Sequence, residues 1–410
     1  MNTVRLVIFV ITYGLIAMQQ LPGIRLNRPA ASLLGAVAMV VVGGLPVQDA
    51  YAAIDPDVIV FLLGVLLLTG YLELGGFFDW AAARIVRRTR SPRVLLAAIV
   101  ATSGVLSALF INDTICLVFT PLLIPALRAL GLRPLPFLLG IAFAANVGSA
   151  ATITGNPQNM LIGISSHLSY ATFFGALVLP ALGGLVIVYS VLALAYRRDL
   201  RVMPADAPLE VETPLDRALV IKALVLFAGA LACWLAGLSL PLVAITAGAV
   251  MIAVGRRDAA QAFARVEWSL LLFFAALFVV MRGVQNLPVF MDLTSRAAAG
   301  LRGYPWHDAV VVSAAMTMLS NLVSNVPAVI LWRPVVPQLP NAPLIWLAMA
   351  MSSTFAGNLT ILGSMANLIV AERAAARDVP MRFGDFLRTG VPITVLTLAW
   401  GIAMLVLLRG

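Results

Sequence analysis

Apolar runs follow one another along nearly the whole chain, separated by short polar segments. They fall at 5–20, 30–44, 57–74, 135–165 and 171–195, then at 216–236, 241–254, 268–281, 343–370 and 389–408. A helix needs about 20 apolar residues to cross a hydrocarbon core about 30 Å thick, and most of these runs approach that length. The runs 30–44 and 241–254 are short for it. Two further stretches, 94–127 and 309–338, are apolar but interrupted near their middles by polar residues. The ten-residue alternation that a membrane β-barrel would need is absent. The pattern predicts an all-α polytopic membrane protein with about 10 transmembrane helices.

Composition sharpens this picture. Of 410 residues, 61% are hydrophobic and 11% charged, where a soluble globular domain carries roughly 25% charged residues. The net charge is +9, and Lys222 is the one lysine. Such basicity could signal nucleic acid in a soluble domain, but here the excess of arginine in cytoplasmic loops accounts for it, and no nucleic-acid partner is expected. Cys116 and Cys233 both lie in apolar runs, so neither a disulfide framework nor a transition-metal site is expected. Residues 5–20 have the apolar character of a signal peptide but no small-residue cleavage site follows, so they read as the first helix.

The two halves of the chain look alike. The segment "IDPDVIVFLLGVLLLTGYLELGG" (54–76) can be laid on "VEWSLLLFFAALFVVMRGVQNLP" (266–288). The same offset pairs 5–20 with 217–232 and 30–44 with 242–256, and sets Asn112-Asp113-Thr114 on Ser324-Asn325-Val326. After a short contraction, Thr152, Gly155 and Asn159 fall on Thr360, Gly363 and Asn367. This is the mark of a duplicated unit: an N-terminal repeat over 1–198, a polar, proline-rich cytoplasmic linker over 199–215, and a C-terminal repeat over 216–410. An odd number of crossings per unit makes the second copy enter inverted. Charge agrees, because all but Arg5, Arg282, Arg296, Arg302, Arg333 and Arg409 of the 27 basic residues then face the cytoplasm. Both termini are therefore expected outside. The stretch 94–127, with Arg93 and Arg128 at its ends, is expected to enter from the cytoplasm and return as a re-entrant hairpin, and 309–338 to do the same from outside. "FFDWAAARIVRRTR" (77–90) reads as an amphipathic helix at the interface.

Candidate chemistry gathers at the polar interruptions. In "ITGNPQNMLIG" (153–163), Pro157 removes a backbone donor and disfavours helix at Asn156, and Gly155 loosens the turn before it. Backbone can unwind in a membrane only where protein or a polar cavity surrounds it. The run 135–165 is therefore expected to be two half-helices broken at 154–158. Asn146, Asn156, Gln158 and Asn159, with Ser149, Thr152 and Thr154, either satisfy the freed groups or hold a ligand. The second break, in "AGNLTILGSMANLIVAE" (356–372), contains Asn358, Thr360, Gly363, Ser364 and Asn367 but no proline, and rests on the repeat. The hairpin tips place Asn112, Asp113 and Thr114, and Ser324 and Asn325, near mid-membrane. Half-helix N-termini attract anionic groups, and freed carbonyls attract cations. An aspartate deep in a bilayer costs about 2.5–3.5 kcal/mol on insertion scales, so Asp113 either couples a cation or caps its own half-helix. Sodium, if bound, is expected near Asn112, Asp113 and Gly155. Glu73, Asp57 and Glu267 read as interfacial, Arg282 and Arg333 as snorkelling, His167 and His307 as loop residues, and Cys116 as a buried free thiol.

The pair "ANVGSAATITGNPQNMLIG" and "STFAGNLTILGSMANLIVAE", with the tips "FINDTICLVFTPLL" and "LVSNVPAVILWRP", resembles the ion transporter superfamily, and most of all its arsenical-pump and citrate-transporter-like permeases. Divalent anion/sodium symporters and bacterial sodium/proton antiporters are more distant likenesses. The resemblance spans nearly the whole chain. It implies two inverted repeats, each with a re-entrant hairpin and a broken helix, and a homodimer whose transport domains move in an elevator-like manner. It also implies sodium sites where both tips read Ser-Asn-Thr. This chain departs at Asp113 and Val326, which puts a symmetric pair of sodium sites in doubt. Its Asn-Asp tip is closer to the arsenical-pump branch, which moves neutral metalloid acid outward against protons.

Together these features point to a secondary active transporter of a small anionic solute, coupled to H⁺ or Na⁺, in the bacterial inner membrane. An arsenite or antimonite efflux permease and a Na⁺/H⁺ antiporter are alternatives within the class, and a passive channel lies outside it. The chain has no His-Glu-x-x-His, Gly-x-Ser-x-Gly or ATP-binding motif, so neither an enzyme nor a cofactor is expected.

Overall fold

A computed structural model describes residues 1–18, 26–89, 91–201 and 214–409. Most of the expected linker 199–215, namely 202–213, lies outside the described residues, as do Gln19 and Gln20 at the end of the first apolar run. Among the described residues the chain is helical, without strands. The first half contains α1 (Asn2–Met18), α2 (Arg28–Val41), α3 (Val47–Ala53), α4 (Pro56–Leu74) and α5 (Phe77–Arg88). It continues with α6 (Pro92–Leu109), α7 (Asn112–Ala129), α8 (Leu135–Ser149), a 3₁₀ turn (Ile153–Gly155), α9 (Pro157–Ser166) and α10 (Tyr170–Ala195). The second half contains α11 (Arg217–Leu235), α12 (Leu240–Val254), α13 (Ala259–Phe263), α14 (Trp268–Val284) and α15 (Pro288–Ala299). It ends with α16 (Pro305–Val323), α17 (Asn325–Trp332), a 3₁₀ turn (Val336–Gln338), α18 (Ala342–Ala356), a 3₁₀ turn (Ile361–Gly363), α19 (Met365–Ala375) and α20 (Phe383–Arg409).

Local chemistry explains many of the starts. Asn27, Asp55, Ser169 and Asp216 each accept a hydrogen bond from a backbone N–H of the first turn, capping α2, α4, α10 and α11. Pro29 and Pro56 sit in first turns, where a missing N–H costs nothing. The helices α4, α6, α10, α11 and α20 are each long and apolar enough to cross a membrane, and α1, α2, α8, α12 and α18 are shorter apolar helices. The short helices α3 and α13 have no counterpart in the expected spans.

Packing puts α8 and α18 at the centre, with every residue of Leu135–Ser149 and of Leu344–Ala356 buried. The helix α6 lies along α8, and α16 along α18. Gly104 and Gly148 let the first pair approach so closely that a Cβ on Gly148 would collide with the Gly104 backbone. Across the halves, α4 packs on α12 and α2 on α14, while α7 packs on α19 and α17 on α9. The outer helices present apolar residues to the surroundings, among them Val10, Leu34, Val37, Val186, Ile221, Val225, Leu242 and Val395. In water such an apolar exterior would be costly; in lipid it is the required one.

Candidate functional site

The two broken helices have one geometry. After α8, Thr152 is extended (φ −133°, ψ 160°), a 3₁₀ turn follows, and Asn156 is extended again before α9 begins. After α18, Thr360 (φ −133°, ψ 159°), a 3₁₀ turn and Ser364 repeat the path into α19. One carboxamide in each half closes the gap. The Asn159 amide donates to the carbonyls of Ser149 (3.1 Å) and Thr152 (2.9 Å), and the Asn367 amide to those of Gly357 (2.6 Å) and Thr360 (3.1 Å). These are carbonyls that the unwound turns deprive of their helical donors. Gly155 is needed because a Cβ there would strike the Ser149 carbonyl, and Gly363 sits similarly against Gly357.

The starts of α9 and α19 then cross to the opposite half. Asn156 accepts from the Asn159 N–H (2.8 Å) as an N-cap, and its amide donates to the hydroxyls of Ser149 (3.0 Å) and, in α18, Thr354 (3.3 Å). At the equivalent position Ser364 donates to the side-chain oxygen Oδ1 of Asn146 in α8 (2.9 Å). Asn146 is the hub: its oxygen also accepts from Asn112 (3.1 Å), and its amide donates to Asn358 (2.8 Å) and Asn367 (3.0 Å). Gln158 donates to Thr354 (3.3 Å). The remaining hydroxyls are anchors: Thr152 donates to the Ala108 carbonyl at the end of α6, Thr154 bonds Tyr170 (3.0 Å), and Thr360 donates to Asn321 (3.0 Å).

The hairpin tips meet these breaks at a cavity of about 110 Å³. Between α6 and α7 the chain is extended at Phe110, and α7 starts on Asn112, Asp113 and Thr114, all buried. Between α16 and α17 Ser324 turns the chain with φ 72° and ψ 164°, a conformation that costs a non-glycine residue about 1–3 kcal/mol. Of the residues expected from sequence, Asn112, Asp113, Gln158, Ser324, Asn325 and Ser364 line the cavity. Thr114 instead faces a second cavity. Asn146, Ser149, Thr152, Thr154, Gly155, Asn156, Asn159, Asn358, Thr360, Gly363 and Asn367 stand outside the lining of the first cavity and hold the breaks in shape. Gly155 is therefore not beside Asn112 and Asp113 in the cavity wall. The side-chain oxygens of Asn112 and Asn325, both buried, have no hydrogen-bond partner.

Sequence reasoning missed Arg28. It was one arginine among the cytoplasmic loop charges, yet at the start of α2 it is buried and lines the same cavity as Asp113, whose charge it feels. Its Nη1 lies 3.0 Å from the Met365 sulfur on α19. Asn321 on α16 was missed as well; it lines the cavity and donates to the Ala356 carbonyl (3.0 Å). The position of Arg28 directly after a capping asparagine and before a proline marks a helix start, but nothing in that pattern points to a cavity. Tyr13, Phe273 and Phe274 supply the apolar side of the wall.

A sequence model of the citrate transporter family, CitMHS, matches residues 13–351. The chain belongs to the citrate transporter family. This member is 30% identical to the silicon efflux transporter LSI3 of Oryza sativa subsp. japonica, with 97% of this chain and 96% of that one aligned. It is 23% identical to the putative transporter arsB of Dictyostelium discoideum, over 98% and 90% of the two chains. Among solved structures it resembles the Alcanivorax borkumensis YdaH transporter, with a TM-score of 0.56, 18% identity, and 99% and 96% of the two chains covered. That last likeness concerns the fold. A citrate transporter family member with this helical architecture is a multi-pass membrane transporter and not an enzyme.

Proposed function

We propose that this transporter is a secondary active carrier of a small anionic solute, driven by H⁺ or Na⁺ through Asp113. The observation that carries this reading is the cavity between the two hairpin tips and the two broken helices, with Arg28 and Asp113 both in its lining. Arg28 offers a guanidinium to a carboxylate or oxyanion. Asn112, Gln158, Asn325 and Ser364 add polar groups, and Asp113 changes its charge with the coupling ion. A cavity of about 110 Å³ suits a small solute, well below the volumes typical for drug-sized ligands. The unpartnered oxygens of Asn112 and Asn325 suit a cation or a solute hydroxyl.

The matching order of elements in the two halves, and the crossed pairs α4–α12 and α2–α14, support a duplicated unit of about 10 spans with two re-entrant hairpins in inverted repeats. The arginine distribution supports both termini outside and a bacterial inner-membrane location. A homodimer with elevator-like movement of the α6–α10 and α16–α20 bundles is proposed on the family resemblance.

A second reading, efflux of a neutral weak oxyacid such as arsenous or silicic acid, is favoured by a specific feature. Arg28 and Asp113 line one cavity with opposite charges, and the relatives named for silicon and arsB point the same way. Purified protein in proteoliposomes, tested with sulfate, dicarboxylates, citrate, arsenite and silicic acid under imposed pH or Na⁺ gradients, decides between them. Uphill movement of one anion under one gradient is the expected result. Uphill movement of arsenite or silicic acid alone would move the assignment to the second reading, and ohmic flux that is never uphill would make the protein a channel.

A further inference from the structure

A second cavity, about 300 Å³, lies on the other side of the first hairpin tip. Its wall includes Thr69 and Glu73 of α4, Thr114 of α7, and Arg265 and Glu267 from the segment leading into α14. Asp113 and Thr114 are consecutive residues, so the first turn of α7 is a partition: Asp113 belongs to the first cavity and Thr114 to the second. The Thr114 hydroxyl is buried and has no partner. Such a group persists when something outside the protein, a water or an ion, satisfies it. Glu267 is half-buried, and its charge and that of Asp113 repel. Arg265 donates to Glu73 at 2.7 Å, and the charge of Arg373 on α19 acts on Glu267.

We propose that this second cavity is the proton route to Asp113, with Glu267 as the carboxylate that loads it, separate from the path of the solute. The proposal rests on the coupling role given to Asp113 above. A hydronium in the cavity gives its proton to the Glu267 carboxylate and leaves water. The O–H bond of the protonated Glu267 then breaks as a new O–H bond forms on the Asp113 carboxylate, through cavity water and the Thr114 hydroxyl, which accepts on one side and donates on the other. Glu267 is left ionised for the next cycle. Repulsion between the two carboxylates favours one proton between them rather than none. The charged and titratable groups around Asp113 are Tyr13 from α1 and Arg28 from α2 in the same cavity wall, Glu267 ahead of α14 and Cys116 from its own helix. Those around Glu267 are Asp113, Glu73 of α4, Arg265 in the same cavity wall and Arg373 of α19.

The test is a pH jump on the full-length protein in nanodiscs, followed by time-resolved infrared absorption of protonated carboxyl groups. The band present in the wild type and missing in Asp113→Asn reports Asp113. In Glu267→Gln that band should appear about tenfold more slowly or slower still, and Thr114→Val should slow it in the same direction. Should Glu267→Gln fail to fold, Thr114→Val still decides, since it removes a hydroxyl that bonds nothing in the protein. An Asp113 band whose rate is unchanged in both variants overturns the route and leaves the coupling role standing. A rate that follows Na⁺ concentration at fixed pH would make the cavity a sodium path and also overturn it. If no pH-dependent band disappears in Asp113→Asn, Asp113 takes up no proton and the route fails, with Na⁺ left as the ion for the coupling role.

Discussion

Arg28 and Asp113 are the two charges of the first cavity, and they act differently. On the proposed reading Asp113 carries the coupling ion, so Asp113→Asn should fold yet lose gradient-driven uptake by at least about tenfold, as read by flux into proteoliposomes. Normal driven uptake in that variant would remove the residue from coupling. On the same reading Arg28 holds the solute. Arg28→Met should weaken binding of the transported anion by about 1.5–3 kcal/mol, the worth of a charge-assisted hydrogen bond, with the melting temperature as a control for packing. Equal affinity in the variant would leave Arg28 a structural partner of Asp113. At this scale the sequence was only partly legible. Asp113 stands out because a carboxylate in an apolar run is expensive. Arg28 does not, because an arginine at a helix start is ordinary until the neighbouring chain is folded beside it.

At the scale of elements, the breaks are built from within. Asn159 and Asn367 each satisfy carbonyls of their own unwound turn. Replacing either by alanine orphans those carbonyls in a site without bulk water, at about 1–3 kcal/mol for each one. Both variants should therefore lower the melting temperature in detergent by similar amounts, and a much smaller loss at Asn367 would mean that the second break is held by something else. The breaks also show what pattern can reveal. Pro157 announces the first interruption by itself. The second has no proline, and only its alignment with the first made it visible. Which amide staples and which faces the cavity could not be read, because Asn156, Gln158 and Asn159 are neighbours in sequence and diverge only once α9 has a direction. The short helices α3 and α13 escaped notice because so few residues cannot display a helical period.

The whole molecule is a set of apolar helices around two buried central ones, α8 and α18. The orientation proposed for it rests on arginine placement. In a variant without native cysteines, Arg201→Cys should react with a membrane-impermeant thiol reagent only from the cytoplasmic side; reaction from outside would reverse the topology. The apolar helices were legible because long apolar runs are imposed by the bilayer rather than by the fold. The cross-half pairs, such as α4 with α12, were not, since an apolar helix carries little information about its neighbours.

Asn146 has one more consequence. Its equivalent in the other half is Thr354, which cannot reach as many partners, just as Asp113 has Asn325 as its counterpart. A carrier made of two interchangeable halves would rest equally often open to either compartment. Here the hub sits on one side only, so if the carrier alternates as proposed, its two orientations are expected to differ in energy before any passenger arrives, which would give the empty protein a home position.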